Sequence, residues 1–316
     1  MPWLGSRFYT FLATQITILA LFAVSLNLLL GYTGLVSFGH AAYFGIGAYT
    51  CAILMKSYGV PFLGAFAAAG VMAASFGLVF GFFCVRLTRI YFAMLTLAFA
   101  QIVWAICFKW NDVTGGEQGL PNVPYPELDW LSSLPGFGGL RAGELSYLVA
   151  LTLTAVCFAV LRRIVQSPFN RMLTVIRDNP ERAEFIGVDV RLYELAAFVV
   201  AGLFAGLSGA LFGIFNRGVF PDFAYWTRSA EALIMTILGG MGHFWGPVVG
   251  SLVLVVLNQQ ITSYTQYWPF VLGTILIVLL FAFPGGILGA LHVGRARLPG
   301  WRRWLAGLKP RDRNHA

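Results

Sequence analysis

The sequence LGGMGHFWGP, residues 238–247, interrupts an otherwise apolar segment that extends from residue 230 to residue 258. It contains four glycines and one proline, and both residue types break helices. Helix breaks at membrane depth are tolerated where the backbone is buried in protein or lines a cavity. The stretch therefore predicts that residues 230–258 form two helices, folded as a hairpin that turns near Gly239–Gly246.

Long apolar runs place this hairpin in a membrane protein. Of the 316 residues, 58% are hydrophobic and 11% are charged, and the mean hydropathy is +0.76. Most runs approach or exceed the ~20 residues that a helix needs to cross ~30 Å of hydrocarbon. They are Phe11–Leu30, Phe62–Val85, Tyr91–Phe108, Tyr147–Leu161, Leu195–Phe215 and Val271–Phe283. We therefore predict an all-α fold, a polytopic transmembrane helix bundle of about eight spans with interrupted and hairpin helices.

Charged residues predict which side of the membrane each connection occupies. The net charge of +8 comes from cations near the ends of apolar runs, which is typical of cytoplasmic retention of Lys and Arg and not of a nucleic-acid surface. We expect one permease domain over residues 1–290. Its cytoplasmic loop is 163–191, its acidic loop 110–144 is external, and a basic tail, 291–316, is cytoplasmic.

This topology requires the hairpin. Because the basic tail is placed in the cytoplasm, the last span must run inward, so residues 230–258 must start and finish outside. One straight helix cannot do that. A similar pattern of glycines before a histidine occurs in residues 29–49 and suggests a second interrupted helix. Paired interrupted helices are a common way for transporters to build a central pathway, although close helix packing through small residues explains individual glycines as well.

A highly charged segment, RDNPERAEFIGVDVR (177–191), lies in the predicted cytoplasmic loop. Asn179 is a good N-cap, Pro180 suits the first helical position, and Gly187 can close the C-terminus. The resulting helix is too short to be stable alone in water and needs a surface on which to pack. That surface is either the chain's own bundle or a partner that receives Phe185 as an anchor. The residues assigned to this segment are Arg177, Asp178, Asn179, Pro180, Glu181, Arg182, Ala183, Glu184, Phe185, Ile186 and Gly187.

The apolar runs contain few residues that could carry chemistry. No catalytic triad, metal-ligand spacing or phosphate-binding loop is present, so the sequence predicts neither a bound metal nor a cofactor. The four cysteines lie in apolar runs and are interpreted as core residues. Polar and glycine residues at the two interrupted segments are the candidates for a translocation path, with structural hydrogen bonding or packing as the alternative. They are Asn27, Gly34, Ser37, His40, Gly239, Gly240 and His243.

Three blocks of the sequence resemble one family of transport proteins. They are SLNLLLGYTGLVSFGHAAYFGIGAY (25–49), RMLTVIRDNPERAEFIGVDVRLYELAAFVVAG (171–202) and LIMTILGGMGHFWGPVVG (233–250). In this order they are similar to LivM-type permease subunits of branched-chain amino-acid ABC importers, over roughly residues 15–290. The charged segment resembles the coupling loop of ABC importers only in Ala183-Glu184 and Gly187, and the Ile-x-Leu-Pro that would follow is absent.

The resemblance implies a non-enzymatic subunit of the bacterial inner membrane. Besides membrane lipid, it implies four partner subunits: a homologous second permease of LivH type, two cytoplasmic ATPase subunits and a periplasmic substrate-binding protein. ATP would bind on the partner subunits, and residues 177–191 would couple their closure to the membrane helices. The implied substrates are branched-chain, hydrophobic amino acids.

Three other functions remain open from the sequence. Permeases for urea and short amides have similar subunits. A secondary transporter or channel driven by an ion gradient would need an acid or base within the bilayer, and the sequence shows none at a span centre. An integral-membrane enzyme would need a cluster of catalytic side chains in the spans.

Overall fold

The computed structural model describes residues 7–87, 89–126, 142–264, 267–282 and 285–293. These residues confirm the all-α prediction. The longer helices are α1 (Arg7–Asn27), α2 (His40–Ser57), α3 (Phe62–Cys84), α4 (Arg89–Lys109), α6 (Ala142–Val165), α7 (Pro168–Asp178), α9 (Val190–Phe215), α10 (Trp226–Gly239), α11 (Gly246–Tyr264) and α12 (Trp268–Ala282). The shorter elements are α5 (Asn111–Thr114), α8 (Pro180–Phe185), α13 (Gly286–Val293) and the strands β1 (Leu120–Pro121) and β2 (Gly218–Val219).

Five helical segments of the described residues are long and apolar enough to cross a membrane singly. They are Tyr9–Thr33, Phe62–Cys84, Ile90–Lys109, Tyr147–Val165 and Val190–Phe215. Other helices in the same part of the chain, among them α2, α10 and α12, are shorter or less apolar. The protein is thus a multi-pass membrane protein, and the count of about eight spans stays a prediction.

Glycines bring the helices of the core into close contact. Gly47 on α2 faces the backbone of Gly206 on α9, and a Cβ at Gly209 would collide with the carbonyl of Phe44. Such small residues let helix backbones approach closely, which is how helices pack when lipid provides no hydrophobic drive between them. The buried rings of Phe22, Phe44 and Phe198 fill the space beside these contacts. All four cysteines are buried and free, which confirms their assignment to the core.

This packing gives a stability prediction. We expect Gly209→Ala to lower the free energy of unfolding by ~1–3 kcal/mol, because the added methyl group overpacks a backbone contact. Gly273→Ala on α12 is the matched control, since a Cβ there meets nothing within 4 Å. Thermal unfolding of the two purified variants in detergent measures the difference. Equal melting temperatures would show that the α2–α9 contact is not tightly packed.

The predicted hairpin is confirmed. Helix α10 ends at Gly239, α11 begins at Gly246, and residues 240–245 form the tip between them. The two arms touch through glycine: a Cβ at Gly250 would meet the carbonyl of Met235. At 1.5 Å per residue, the 14 residues of α10 extend about 21 Å, less than the ~30 Å of a hydrocarbon core. The first arm is therefore too short to span alone, whereas α11, with 19 residues, extends about 28 Å. At the tip, Gly240 is buried, and Met241 and Trp245 are 37% and 48% exposed.

The second predicted interruption is also confirmed. Helix α1 passes into a π-helical turn, Leu28–Thr33, and the turn ends at Gly34 in the left-handed conformation, with φ of +77°. A non-helical connection leads to His40, where α2 begins. Apolar runs alone did not indicate α2 as a helix of its own.

The described part of the predicted external loop, residues 110–126, is held by short contacts and not by long helices. Strand β1 pairs with β2, and Lys56 Nζ donates a 2.7 Å hydrogen bond to the carbonyl of Pro121. The guanidinium of Arg217 lies 4.7 Å from the ring centre of Tyr125. Residues 127–141 of this loop, and residues 294–316 of the predicted basic tail, lie outside the described residues.

Candidate functional site: the charged surface helix and the interrupted helices

The charged segment contains the predicted short helix, α8. The Asn179 side chain caps its N-terminus, where Oδ1 accepts a 3.0 Å hydrogen bond from the backbone N–H of Arg182. Pro180 occupies the first turn, and Gly187 follows the C-terminus with φ of +85°. The structure places Glu181, Arg182 and Glu184 within α8, Ile186 and Gly187 in the turn after it, and Arg177 and Asp178 at the end of the preceding helix.

That preceding helix, α7, was not predicted. It is amphipathic and buries one stripe, which contains Asn170, Leu173 and Ile176. Two signals in the sequence could have identified it: Pro168 at the first helical position and the i, i+3 spacing of its two buried aliphatic residues. Together, α7 and α8 form a continuous surface element between α6 and α9.

Helix α8 exposes its apolar end. Of its residues only Ala183 is buried, in a small cluster with Ile176 and Val190 that is separate from the main core. Phe185 is 89% exposed and Ile186 is 69% exposed. Packing against the chain's own bundle therefore leaves the predicted anchor uncovered within the described residues. A large exposed apolar side chain with a charged surround is typical of a protein–protein contact.

A hydrogen bond is among the contacts that join this surface element to the membrane helices. Arg177, on the last turn of α7, donates from Nη1 to the carbonyl oxygen of Gly31 in the π-helical turn. A Cβ at Gly34 would lie 3.1 Å from Cγ of the same arginine, so glycine leaves space for the side chain to pass. The π-helical turn opens the regular hydrogen-bond ladder of α1, and such turns occur frequently at functional sites.

The tip of the hairpin packs against the same turn of α1. Asn27 Nδ2 donates a 3.3 Å hydrogen bond to the carbonyl of His243, and a Cβ at Gly31 would collide with the carbonyl of Met241. One turn earlier, Thr236 Oγ1 bonds the carbonyl of Ala23 at 3.2 Å. Gly239 ends α10, and Gly240 adopts a φ of +111° beside Gly286. The two interrupted segments predicted from the sequence therefore lie side by side.

His40 occupies a structural position within this arrangement. It is fully buried, its Nε2 lies 2.8 Å from Ser25 Oγ, and its ring stacks on Phe22 with centres 5.2 Å apart. The N–H of Ala41 donates to Ser229 Oγ at 2.8 Å, which fixes the start of α2 to α10. The alternative reading of His40 as a hydrogen-bonded core residue thus has direct support.

Three buried polar atoms near the break have no hydrogen-bond partner among the described residues: Asn27 Oδ1, Ser37 Oγ and His40 Nδ1. Leaving such a group unpaired costs ~1–3 kcal/mol. They come from residues predicted to line a path, and they lie where the backbone is irregular.

The described residues contain no group of three His, Cys, Asp or Glu side chains that could hold a metal ion. The polar atoms gathered at the interrupted helices are amides, hydroxyls, a histidine and main-chain carbonyls. These groups can hydrogen-bond a passing molecule or a neighbouring helix. The geometry thus places an exposed helix in direct contact with one of two neighbouring interrupted helices.

Comparison with known proteins identifies relatives of the same kind. A family model described as "Branched-chain amino acid transport system / permease component" matches residues 8–280. The chain is 30% identical to the high-affinity branched-chain amino acid transport system permease protein LivM of Escherichia coli, over 91% of this chain and 71% of LivM. It is 23% identical to a probable branched-chain amino acid transport permease protein, LivH, of Methanocaldococcus jannaschii, over 86% and 89% of the two chains.

A more distant similarity covers half of the chain. The galactose/methyl galactoside import permease protein MglC of Escherichia coli is 28% identical over 157 residues, which is 46% of each chain. No solved structure matches this protein. Transport is therefore common to these relatives, whereas the transported molecules named for them differ.

Proposed function

This chain belongs to the family of branched-chain amino acid transport permeases, and we propose that it imports such amino acids as one half of a permease pair driven by two separate ATPase subunits. It is a multi-pass permease subunit of an ABC importer. The second permease, of LivH type, would complete the path through the membrane. ATP would be bound and hydrolysed on the ATPases, so this chain would need no cofactor of its own.

The observation that carries this proposal is the connection from α8 to α1. ATPases docking around Phe185 would move α7 and α8 as they close on ATP. Arg177 would pass that movement to Gly31, and Gly31 packs against the hairpin tip. Because the tip also bonds Asn27, a shift at the exposed helix would rearrange both interrupted segments together. In this proposal the connection would act as a two-state element, which both the ATPases and the path reach through contiguous contacts.

The proposed direction of import sets the sides of the membrane. The α7–α8 element would face the cytoplasm, together with the basic tail, and the loop of residues 110–144 would face outward to a periplasmic substrate-binding protein. The hairpin α10–α11 would then start and finish on the outer side, with its tip toward the ATPases. Asn27, Ser37 and the hairpin tip would line the inner part of the path.

Reconstitution in liposomes tests this function. The complete assembly of both permeases, the ATPases and the binding protein should accumulate labelled leucine only with ATP on the ATPase side. Membranes that contain this chain alone, under a proton or sodium gradient, should show no uptake. Uptake by the chain alone on such a gradient would establish a secondary transporter instead. Uptake of urea or acetamide without uptake of leucine would instead identify a permease for urea and short amides.

A further inference from the structure

A second polar site lies away from the interrupted helices, in a pocket between α1, α10 and α11. Its volume is about 310 Å³, at the lower end of the ~300–1,000 Å³ typical of small-molecule sites. Arg228 and Glu231 come from the first turns of α10, and Thr262 comes from the end of α11. These positions belong to the part of the hairpin that would lie on the outer side of the membrane.

The pocket contains two opposite charges held next to each other. Arg228 Nη1 lies 2.8 Å from Glu231 Oε2, and the side chains are 26% and 39% exposed. A guanidinium has five N–H donors and a carboxylate about four acceptor positions, so one contact leaves both groups with further capacity. Gln15, Asn258 and Gln259 add amide groups to the same lining. The polar side is therefore neutral overall but strongly dipolar.

The remaining walls of the pocket are aliphatic. Leu19, Met235, Leu254 and Val255 line it and are almost fully buried in the fold, with exposures of 3%, 1%, 5% and 6%. They belong to α1, α10 and α11, so three helices shape the apolar surface. A ligand would thus meet a charged pair at one side and branched or flexible hydrocarbon at the other.

We propose that this pocket binds one free aliphatic amino acid as a zwitterion on its way into the membrane. The α-carboxylate would bind Arg228, the α-ammonium would bind the free oxygen of Glu231, and the side chain would pack on Leu19, Met235 and Leu254. A zwitterion matches the dipole and adds no net charge, whereas a simple ion would leave an uncompensated charge in a half-buried site. The inference rests on the proposed function and adds a substrate site on this chain.

The helices that line the pocket continue to the place where α1 meets the hairpin tip. Leu19 and Asn27 lie on the same helix, eight residues apart, which corresponds to about 12 Å along the axis. Met235 lines the pocket, and the next residue, Thr236, bonds the carbonyl of Ala23 on α1. A ligand in the pocket would therefore rest directly outside the region where α1 and the hairpin tip meet.

A purely structural ion pair is the competing explanation. An exposed i, i+3 pair on a helix stabilises it by only ~0.2–0.5 kcal/mol. Such a pair would need neither the amide groups opposite nor the aliphatic walls. The two explanations differ in what the pair is expected to bind, and a binding experiment on the assembled transporter separates them.

The test is equilibrium binding of tritiated leucine to the purified complex of both permeases and the ATPases, without the binding protein. We expect saturable binding that Glu231→Gln and Arg228→Gln each weaken at least tenfold. Arg217→Gln is the matched control, because it removes an arginine that contacts Tyr125 and does not line the pocket; it should change affinity less than twofold. Leucine methyl ester, which lacks the carboxylate, and 4-methylpentanoate, which lacks the ammonium, should compete at least tenfold less well than leucine.

A variant with the two charges exchanged distinguishes a loss of binding from a loss of folding. The double variant Arg228→Glu with Glu231→Arg keeps an ion pair, so its melting temperature should match the wild type while leucine affinity falls. Wild-type affinity in the single variants or in the reversal would overturn the inference, as would no binding to the wild-type complex. In either case, ATP-driven leucine uptake by the same wild-type complex with its binding protein would show that the proposed function stands. Loss of that uptake would instead refute the proposed function.

Discussion

Phe185→Asp is expected to separate the ATPase subunits from the permease pair while this chain stays inserted and folded. Phe185 is 89% exposed and contributes nothing to the chain's own core. Aromatic anchors at protein interfaces typically contribute ~2–4 kcal/mol, and a carboxylate in their place adds the cost of burying a charge. Affinity for the ATPases should fall by about two orders of magnitude or more.

Co-purification through a tag on this chain measures the loss, and the melting temperature of the chain checks its fold. Tyr58→Asp is the matched control: it places the same charge on an aromatic residue that is 74% exposed. Tyr58 follows α2, near the Lys56–Pro121 contact, on the side predicted to be external. Wild-type yield of ATPases from Phe185→Asp, or equal loss from both variants, would contradict docking at α8.

Arg177→Ala is expected to uncouple ATP hydrolysis from transport. The substitution removes the hydrogen bond to Gly31 but leaves Phe185 and the cap at Asn179 in place. The ATPases should therefore still bind and hydrolyse ATP, while leucine uptake falls at least tenfold. A hydrogen bond from a charged group is worth ~1.5–3 kcal/mol, which is enough to shift a two-state equilibrium by this amount.

Parallel measurement of ATP hydrolysis and uptake in proteoliposomes shows the effect as a rise in ATP consumed per leucine transported. Arg171→Ala removes the same charge from an exposed position on the same helix, and its ratio should stay at the wild-type value. If both variants uncouple ATP hydrolysis from transport equally, coupling would depend on the positive charge of α7 and not on the contact between Arg177 and Gly31. If Arg177→Ala keeps the wild-type ratio, coupling follows another route.

The sequence predicted those features that local chemistry determines. Glycines and a proline within apolar sequence indicated the hairpin and the interruption near Gly34, and cap residues indicated α8. The positions of Lys and Arg assigned each connection to one side of the membrane, and that assignment required residues 230–258 to start and finish on the same side. The role assigned to residues 177–187, and the path assigned to residues such as Ser37 and His243, stay predictions.

The sequence did not predict contacts between distant parts of the chain. Arg177 and Gly31 are separated by 146 positions, and Asn27 and His243 by 216. No local periodicity encodes either pairing, since each depends on how α1 and the hairpin pack. In the sequence, Glu231 lies at the start of the segment 230–258, and no motif around it indicates a binding site. Only the fold brings it, with Arg228, opposite the amides and aliphatic side chains of α1 and α11.

The central claim is that energy enters this chain through α8, and a photo-crosslink from position 185 tests it most directly. A photoreactive phenylalanine analogue at that position, in the complete transporter within its membrane, should crosslink to an ATPase subunit. A crosslink efficiency that changes when ATP is bound is also expected, because the docking surface would move with the ATPases. Crosslinks to lipid, to the second permease or to this chain alone, with none to an ATPase, would contradict the account.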